Sequence, residues 1–296
     1  MKKFKHITVL SGGISAEREV SLASGRAVSD GLRASGYEVQ AVDVTSNTLP
    51  LPSRVDAVFI ALHGTFGEDG QVQALLRERA VPYTGSGEEA CRLSFDKLAS
   101  KKVFQEANLP TPSFEIIGPS GQRTLPLPVV VKPARQGSSV GIHRVFNEEE
   151  WTDAWRDAAQ YDACVIAETY IPGKELTVGI VGDLALPALQ ICAPDDYYDY
   201  RAKYTKGVTQ YLVPAPITSA CAEECERRAL QAFAALGCRS MARVDFRMNP
   251  EGDLFILEVN TIPGFTATSL LPKAALATGI EFPELCASII EMADVH

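Results

Sequence analysis

Met241-Ala-Arg-Val-Asp-Phe-Arg-Met248, Asn249-Pro-Glu-Gly-Asp253 and Leu254-Phe-Ile-Leu-Glu-Val-Asn260 read as two strands joined by a hairpin loop with a bulge. Residues 241–248 alternate with period two, so Arg243 and Asp245 share one face. The same spacing puts Glu258 and Asn260 on one face of 254–260. Whether the two faces coincide depends on register, which the sequence leaves open. Two carboxylates and an amide oxygen on neighbouring strands suit a hard cation such as Mg²⁺, held beside substrate phosphates. The bland alternative is a surface hairpin with solvated charges. Against it stands the exit from the second strand, Glu258-Val-Asn260 running into Pro263-Gly264, an unusual way to leave a sheet. The pattern points to metal-assisted phosphate chemistry.

The rest of the chain bounds that reading. Its 296 residues, 46% of them hydrophobic, are enough for two or three modest lobes with real cores. A net charge of −9 argues against a general nucleic-acid or membrane surface, so an anionic ligand must be met by a local cluster of Lys and Arg together with metal. The seven cysteines are scattered without a C-x-x-C pair, and four histidines offer little help in building a zinc site. Free thiols in a reducing compartment are the better account. The apolar run after Met1-Lys-Lys-Phe-Lys-His6 is too short for a signal peptide, and no stretch approaches the ~20 apolar residues of a membrane span. A soluble cytoplasmic protein is expected.

Strands at 7–10, 39–44 and 55–62, with helices at 16–35 and 69–80, predict a parallel α/β sheet in the first ninety-odd residues. A helix over 95–107 leads to a break at Asn108-Leu-Pro-Thr-Pro112. Strands near 113–117, 128–132 and 164–168 follow, with a helix over 147–160 N-capped by Asn147. A tyrosine-rich loop at 194–211, a helix from about 219 to 236, the hairpin and a terminal helical segment complete the chain.

Ser11-Gly-Gly-Ile-Ser-Ala16 sits where a dinucleotide fingerprint would sit, with Asp43 in the place of the ribose acid. Ser11 replaces the first glycine, and nothing else serves hydride transfer. Glu17 is either a favourable charge at a helix start or a carboxylate that grips a substrate ammonium. Val129-Val-Val-Lys132 delivers a lysine to the loop Pro133-Ala-Arg-Gln-Gly-Ser138-Ser-Val-Gly141. That loop is no Walker sequence, but its small side chains and free N–H groups could close over phosphates; an ordinary surface loop is the alternative. Lys97 stands at the unfavourable end of its helix dipole, which hints weakly at function. Glu168 and Glu175 could meet an adenine amino group or ribose hydroxyls, or, as is commoner for such acids, face water. Asp196-Tyr-Tyr-Asp-Tyr200-Arg-Ala-Lys203-Tyr204 is too aromatic for an idle loop, and suits a lid or a partner surface.

Together these segments resemble the ATP-grasp ligases, and closely the D-alanine–D-alanine ligases, over essentially the whole chain. The resemblance rests on Gly12-Gly-Ile-Ser-Ala-Glu17-Arg-Glu-Val-Ser21, His63-Gly-x-x-Gly-Glu-Asp-Gly70, Pro82-Tyr-Thr-Gly-Ser-Gly87 and Lys132-Pro-Ala-Arg-x-Gly-Ser138-Ser-x-Gly141. Tyr198-Asp-Tyr-x-Ala-Lys-Tyr204 and Glu258-x-Asn260-x-x-Pro-Gly-x-Thr-x-x-Ser269 complete it. One departure is Gln136, where an acid is common; a slight change in loop closure is expected.

The resemblance implies an α/β ATP-grasp fold of three lobes, 1–94, 95–178 and 179–296, with ATP clasped between the last two. Lys97, Lys132, Glu168, Glu175 and Lys203 would bind ATP. Asp245, Glu258 and Asn260 would hold two Mg²⁺ ions, with Mn²⁺ a possible substitute. Glu17 would grip the first D-alanine and, with Ser138 and Tyr204, latch the tyrosine loop. His63, Arg243 and Gly264 would line the D-alanine sites, and Ser269, otherwise a plain helix N-cap, would receive the second carboxylate. The product would be D-alanyl-D-alanine for peptidoglycan precursors, made by a homodimer. The rival readings are a D-alanine–D-lactate or D-serine ligase, which the Lys203-Tyr204 pair speaks against, and an ATP-binding module without catalysis.

Overall fold

The computed structural model describes residues 2–194 and 208–296. Strand β1 (His6–Gly12) lies between β2 (Glu38–Val44) and β3 (Ala57–Ile60), parallel to both. Parallel neighbours need a crossover. Helix α1 (Arg18–Ala34) supplies the first one, and α2 (Gln71–Glu78) follows β3. The helix expected over 95–107 is α4 (Lys97–Glu106), and a further helix, α3 (Glu88–Phe95), precedes it. Asp96 makes the break. Its extended backbone ends α3, and its carboxylate accepts from the Leu98 and Ala99 N–H groups, both at 3.0 Å, to start α4.

The second sheet is antiparallel and runs β4 (Phe114–Ile117), β7 (Val165–Thr169), β5 (Val129–Pro133), β6 (His143–Val145). Helix α5 (Glu148–Tyr161) covers it, packing Trp151, Ala154 and Ala158 on Val129, Val131 and Val145. Asn147 caps α5 as expected, accepting from Glu150 N at 3.1 Å.

The third sheet holds β8 (Lys174–Val181), β9 (Leu184–Ala185), β10 (Leu189–Cys192), β11 (Gln210–Leu212), β12 (Met241–Met248) and β13 (Leu254–Asn260). Its order is β11-β10-β8-β12-β13, with β9 pairing β8. The 178/179 division expected from the resemblance falls within β8, all of which pairs with β12 in this sheet. Helix α6 (Ser219–Ala235) lays Cys225, Ala229 and Ala232 on Val178, Val244 and Phe246.

The terminal helical segment divides into α7 (Leu270–Ala277) and α8 (Phe282–Glu291). Helix α8 returns to the first sheet, where Leu285, Ile289 and Ile290 share a core with Val9, Val28 and Phe59. Fully burying such side chains is worth roughly 1.5–3 kcal/mol each. The approach of α8 to α1 depends on Gly31, since a Cβ there would lie 3.1 Å from Cys286 Sγ and 3.3 Å from the Phe282 ring. The two ends of the chain therefore complete one core. All seven cysteines are free. Among the described residues no helix is long and apolar enough to cross a membrane.

Candidate active site

The register of the β12–β13 hairpin resolves what its sequence leaves open. Arg243 stands opposite Asn260 and Asp245 opposite Glu258, with the register shift only after Asp245. Directly opposed residues point to the same side of a sheet, so all four side chains share one face. Arg243 grips Asp245 with two parallel bonds, Nε to Oδ1 at 2.8 Å and Nη2 to Oδ2 at 2.7 Å. Thr177 Oγ1 on β8 adds a third, to Asp245 Oδ1 at 2.6 Å. Asp245 is thus rigidly oriented, and it in turn fixes the guanidinium.

Two cavities meet at this face. The larger, of about 950 Å³, is lined by Glu17, His63, Lys97, Ser138, Arg243, Asn260, Gly264 and Ser269 among others. The smaller, of about 120 Å³, lies between the second and third sheets against Lys132, Glu168, Glu175 and Asp245. Glu258 lines both. Lys97 Nζ lies 3.2 Å from Glu258 Oε2 and donates to the Gln136 carbonyl at 2.7 Å, tying the glycine loop to the hairpin. Lys97 at the wrong end of its helix therefore answers to an acid on another strand.

Glu168 corrects the expectation of a water-facing acid, for it is only 2% exposed. Lys132 Nζ lies 2.8 Å from its Oε1, and a second lysine, Lys101, lies 3.0 Å from the same atom. Burial works against the Glu168 carboxylate, but the two lysines outweigh it and hold the carboxyl below its ordinary range. Burial also pushes the Lys101 ammonium down to about 8, against the pull of Glu168. The sequence gives no sign of Lys101, which reads as one more charge on a helix; its place one turn after Lys97 is the only hint. Glu175 on β8 faces Arg247 on β12, Oε2 to Nη1 at 3.6 Å.

At the far wall of the larger cavity, Ser138 Oγ donates to Glu17 Oε1, joining the glycine loop to the start of α1. Ser138 and Ser139 adopt left-handed φ of 50° and 59°, a conformation non-glycine residues hold only when their surroundings enforce it. His63 is buried at 3% exposure, its Nδ1 3.1 Å from the Ile262 carbonyl and 3.4 Å from Glu68 Oε1. Both are acceptors, so Nδ1 carries the proton. Burial opposes a charged imidazole, yet the hydrogen bond and charge of Glu68, with the charge of Glu17, raise its pKa. Glu68 also lines the cavity and was not singled out by sequence, although it belongs to the His63–Gly70 motif.

Ser269 occupies the N-cap position of α7 without capping it. Its Oγ instead accepts from Thr266 N at 3.0 Å and lies 2.9 Å from Thr266 Oγ1. Gly264 leaves room beside it, as a Cβ there would come within 3.4 Å of that hydroxyl. Tyr204 and Lys203 lie outside the described residues. The nicotinamide alternative fails at Asp43, whose two oxygens are held by Arg18 at 2.9 and 2.7 Å. A Cβ on Gly12 would fall 2.2 Å from Asp43 Oδ1, so the glycine turn accommodates that pair.

Asp245, Glu258 and Asn260 offer oxygen only, as Mg²⁺ requires. Among the described residues no three His, Cys, Asp or Glu side chains form a metal cluster. Two acids and an amide fit a Mg²⁺ ion that completes its shell with phosphate oxygens and water.

The sequence model of the D-ala D-ala ligase C-terminus matches residues 103–291, and that of the N-terminus residues 45–86. The chain belongs to the D-alanine–D-alanine ligase family. The D-alanine–D-alanine ligase of Methylacidiphilum infernorum is 45% identical, over 97% of this chain and 95% of that protein. That of Syntrophotalea carbinolica is 46% identical over 99% and 97%. Among solved structures, the D-alanine–D-alanine ligase of Bacillus anthracis superposes with a TM-score of 0.85 at 31% identity, covering 98% of this chain and 97% of that one. The same enzyme complexed with ATP gives 0.84 at 30% identity and the same coverage. The fold is thus ATP-grasp, as the six motifs of this ligase family imply.

Proposed function

We infer that this protein joins two D-alanines into D-alanyl-D-alanine at the expense of ATP, releasing ADP and phosphate. The observation that carries this reading is Glu258, the residue common to the two cavities. A phosphoryl group passing from a nucleotide in the slot to an acceptor in the larger cavity must cross that point. The Bacillus anthracis relative complexed with ATP supports nucleotide binding by this chain, and the slot is the site we assign to it.

Glu17 holds the ammonium of the first D-alanine, with His63 beside it. The carboxylate of that D-alanine attacks the γ-phosphorus, forming a new P–O bond as the bond to the ADP oxygen breaks. Two anions approach in this step, so charge must be screened. Lys97 and Lys132 provide fixed positive charge, and Mg²⁺ bound by Asp245, Glu258 and Asn260 supplies the rest. The second D-alanine, its carboxylate at Ser269, then attacks the acyl carbon through its amine. Arg243, aimed by Asp245, stabilises the oxyanion until phosphate leaves. The glycine loop held by Glu17 and Ser138 keeps water from the acylphosphate.

A non-catalytic module would have no use for Arg243, Asp245, Glu258 and Asn260 on one face. Cytoplasmic residence, a homodimer and the lobe divisions at 94/95 and 178/179, the latter shifted to the start of β8, belong to the same proposal. The test is phosphate release from ATP with Mg²⁺ and D-alanine, L-alanine or D-lactate, with mass spectrometry of the product. Turnover should require D-alanine and Mg²⁺, and Asp245→Ala or Glu258→Ala should abolish most of it in a folded protein. Phosphate release indifferent to D-alanine would refute the reading.

A further inference from the structure

Among the described residues three lysine or arginine side chains line the larger cavity, and they are not equivalent. Lys97 answers Glu258, and Arg243 answers Asp245. Lys273 is the third. Among the described residues its ammonium has no hydrogen bond or ion pair; it stands over the Tyr211 ring, 5.4 Å from the centroid. Lys273 thus lines the cavity beside an aromatic face and a cluster of hydroxyls, with no acid among the described residues to neutralise it.

Its position on the helix says what it faces. Lys273 follows Ser269 by four residues, and its backbone N–H donates to the Ser269 carbonyl at 3.0 Å. Residues four apart lie one above the other on a helix, and side chains lean toward the N-terminus. Lys273 therefore reaches back over the turn that presents Ser269, Thr266 and Gly264 to the cavity, all of which share its wall. Burial lowers the Lys273 pKa, a strain that an arriving anion would relieve.

We propose that Lys273 is a specificity-determining residue, whose ammonium binds the carboxylate of the acceptor amino acid together with the Ser269 hydroxyl. The inference rests on the ligase reading above and deepens it. The donor carboxylate must lie at the phosphoryl end, near Lys97 and Arg243, so the acceptor carboxylate needs a cation of its own. A positive charge at the opposite end also orients the acceptor, drawing its carboxylate in and turning its amine toward the reacting centre.

The test compares wild type, Lys273→Met and Lys273→Arg in ATP-coupled assays that resolve the donor and acceptor KM for D-alanine. D-Alaninamide, which lacks a carboxylate and can act only as acceptor, competes with D-alanine, and mass spectrometry gives the ratio of dipeptide to dipeptide amide. Lys273→Met should raise the acceptor KM about tenfold or more, as for loss of a charged hydrogen bond. The donor and ATP KM values should stay near wild type, and the preference for D-alanine over its amide should shrink. Lys273→Arg should recover most of both. An unchanged acceptor KM and an unchanged product ratio in Lys273→Met would overturn the proposal and leave Lys273 a surface lysine resting on Tyr211. A wild-type enzyme that forms no dipeptide would instead refute the ligase reading itself, and this inference with it.

Discussion

At the scale of single residues, the Arg243–Asp245 pair explains why a charged strand face survives in a partly buried place. Each side chain satisfies the other and points it at the cavity, and in the proposed mechanism Arg243 serves the transition states more than the resting complex. Arg243→Ala should lower kcat by about 10²–10³, as for loss of one aimed oxyanion donor, with little change in ATP affinity. Steady-state kinetics beside ATP titration would tell; a raised KM for ATP alone would make it a ground-state ligand. His63 offers a second test. Its folded pKa is raised above the unfolded value near about 6.5, so the stability it adds is full below that value. That stability is lost as pH rises through the folded pKa. The Tm advantage of wild type over His63→Gln should therefore be largest near about pH 6 and shrink toward alkaline pH. A gap that widens with pH would mean His63 is held neutral. Residues of this kind were legible because they stand in unusual company, a carboxylate before Asn and Pro-Gly, a lysine at a helix start. Glu68 and Lys101 were not, because acids and lysines on helices or turns ordinarily face water, and only the packing of other elements buries Lys101 and partly encloses Glu68.

Individual elements were legible where their periodicity was clean. The hairpin strands, α5 with its Asn147 cap and the parallel strands of the first sheet follow the sequence closely. Strand β8 did not stand out, although it lies at the centre of the third sheet. Its run Leu176-Thr-Val-Gly-Ile-Val181 follows directly on the Pro172-Gly173 turn and lacks alternation, since both faces are covered. The break at Asp96 was hidden for another reason: one side chain there ends a helix and begins the next. Helix α4 matters beyond its length. From it Lys101 reaches Glu168 on β7 and also donates to Thr111 Oγ1 at 2.6 Å, which passes the bond to the Ile256 carbonyl on β13 at 2.8 Å. The helix thus ties the two sheets that enclose the smaller cavity, the proposed nucleotide site. Lys101→Met leaves Glu168 to Lys132 alone, and breaking a buried ion pair costs about 3–5 kcal/mol when no partner remains. With Lys132 still in contact the loss should fall toward or below the lower figure. Lys132 would then be drawn into a neutral pair, and its charge would count for less at the phosphates. Urea unfolding should register the destabilisation, and the KM for ATP should rise more than that for D-alanine. A variant with wild-type stability and ATP kinetics would show that Lys101 is dispensable to both.

For the molecule as a whole, the question is how separate parts agree on one closed state. The first sheet is completed by α8 from the far end of the chain, so the wall of the larger cavity built on α1 is held in register with α7 and the hairpin. The glycine loop comes from the second sheet, and Ser138 within it donates to Glu17 at the start of α1. That bond spans two lobes and forms only when the loop lies over the larger cavity. The strained left-handed backbone of Ser138 and Ser139 is the cost of holding it there. Removing the hydroxyl should barely alter stability, since Ser138 is neither buried nor part of a regular element. It should loosen the loop. Water would then reach the acylphosphate before the second amine does, and ATP hydrolysis would run ahead of peptide synthesis. Ser138→Ala should therefore raise the phosphate released per dipeptide formed while leaving Tm near wild type. The readout is that ratio, measured by phosphate assay and mass spectrometry on the same sample. A Ser138→Ala enzyme that keeps the wild-type ratio would show that the lobes are brought together without this contact, and that Glu17 serves the substrate ammonium alone.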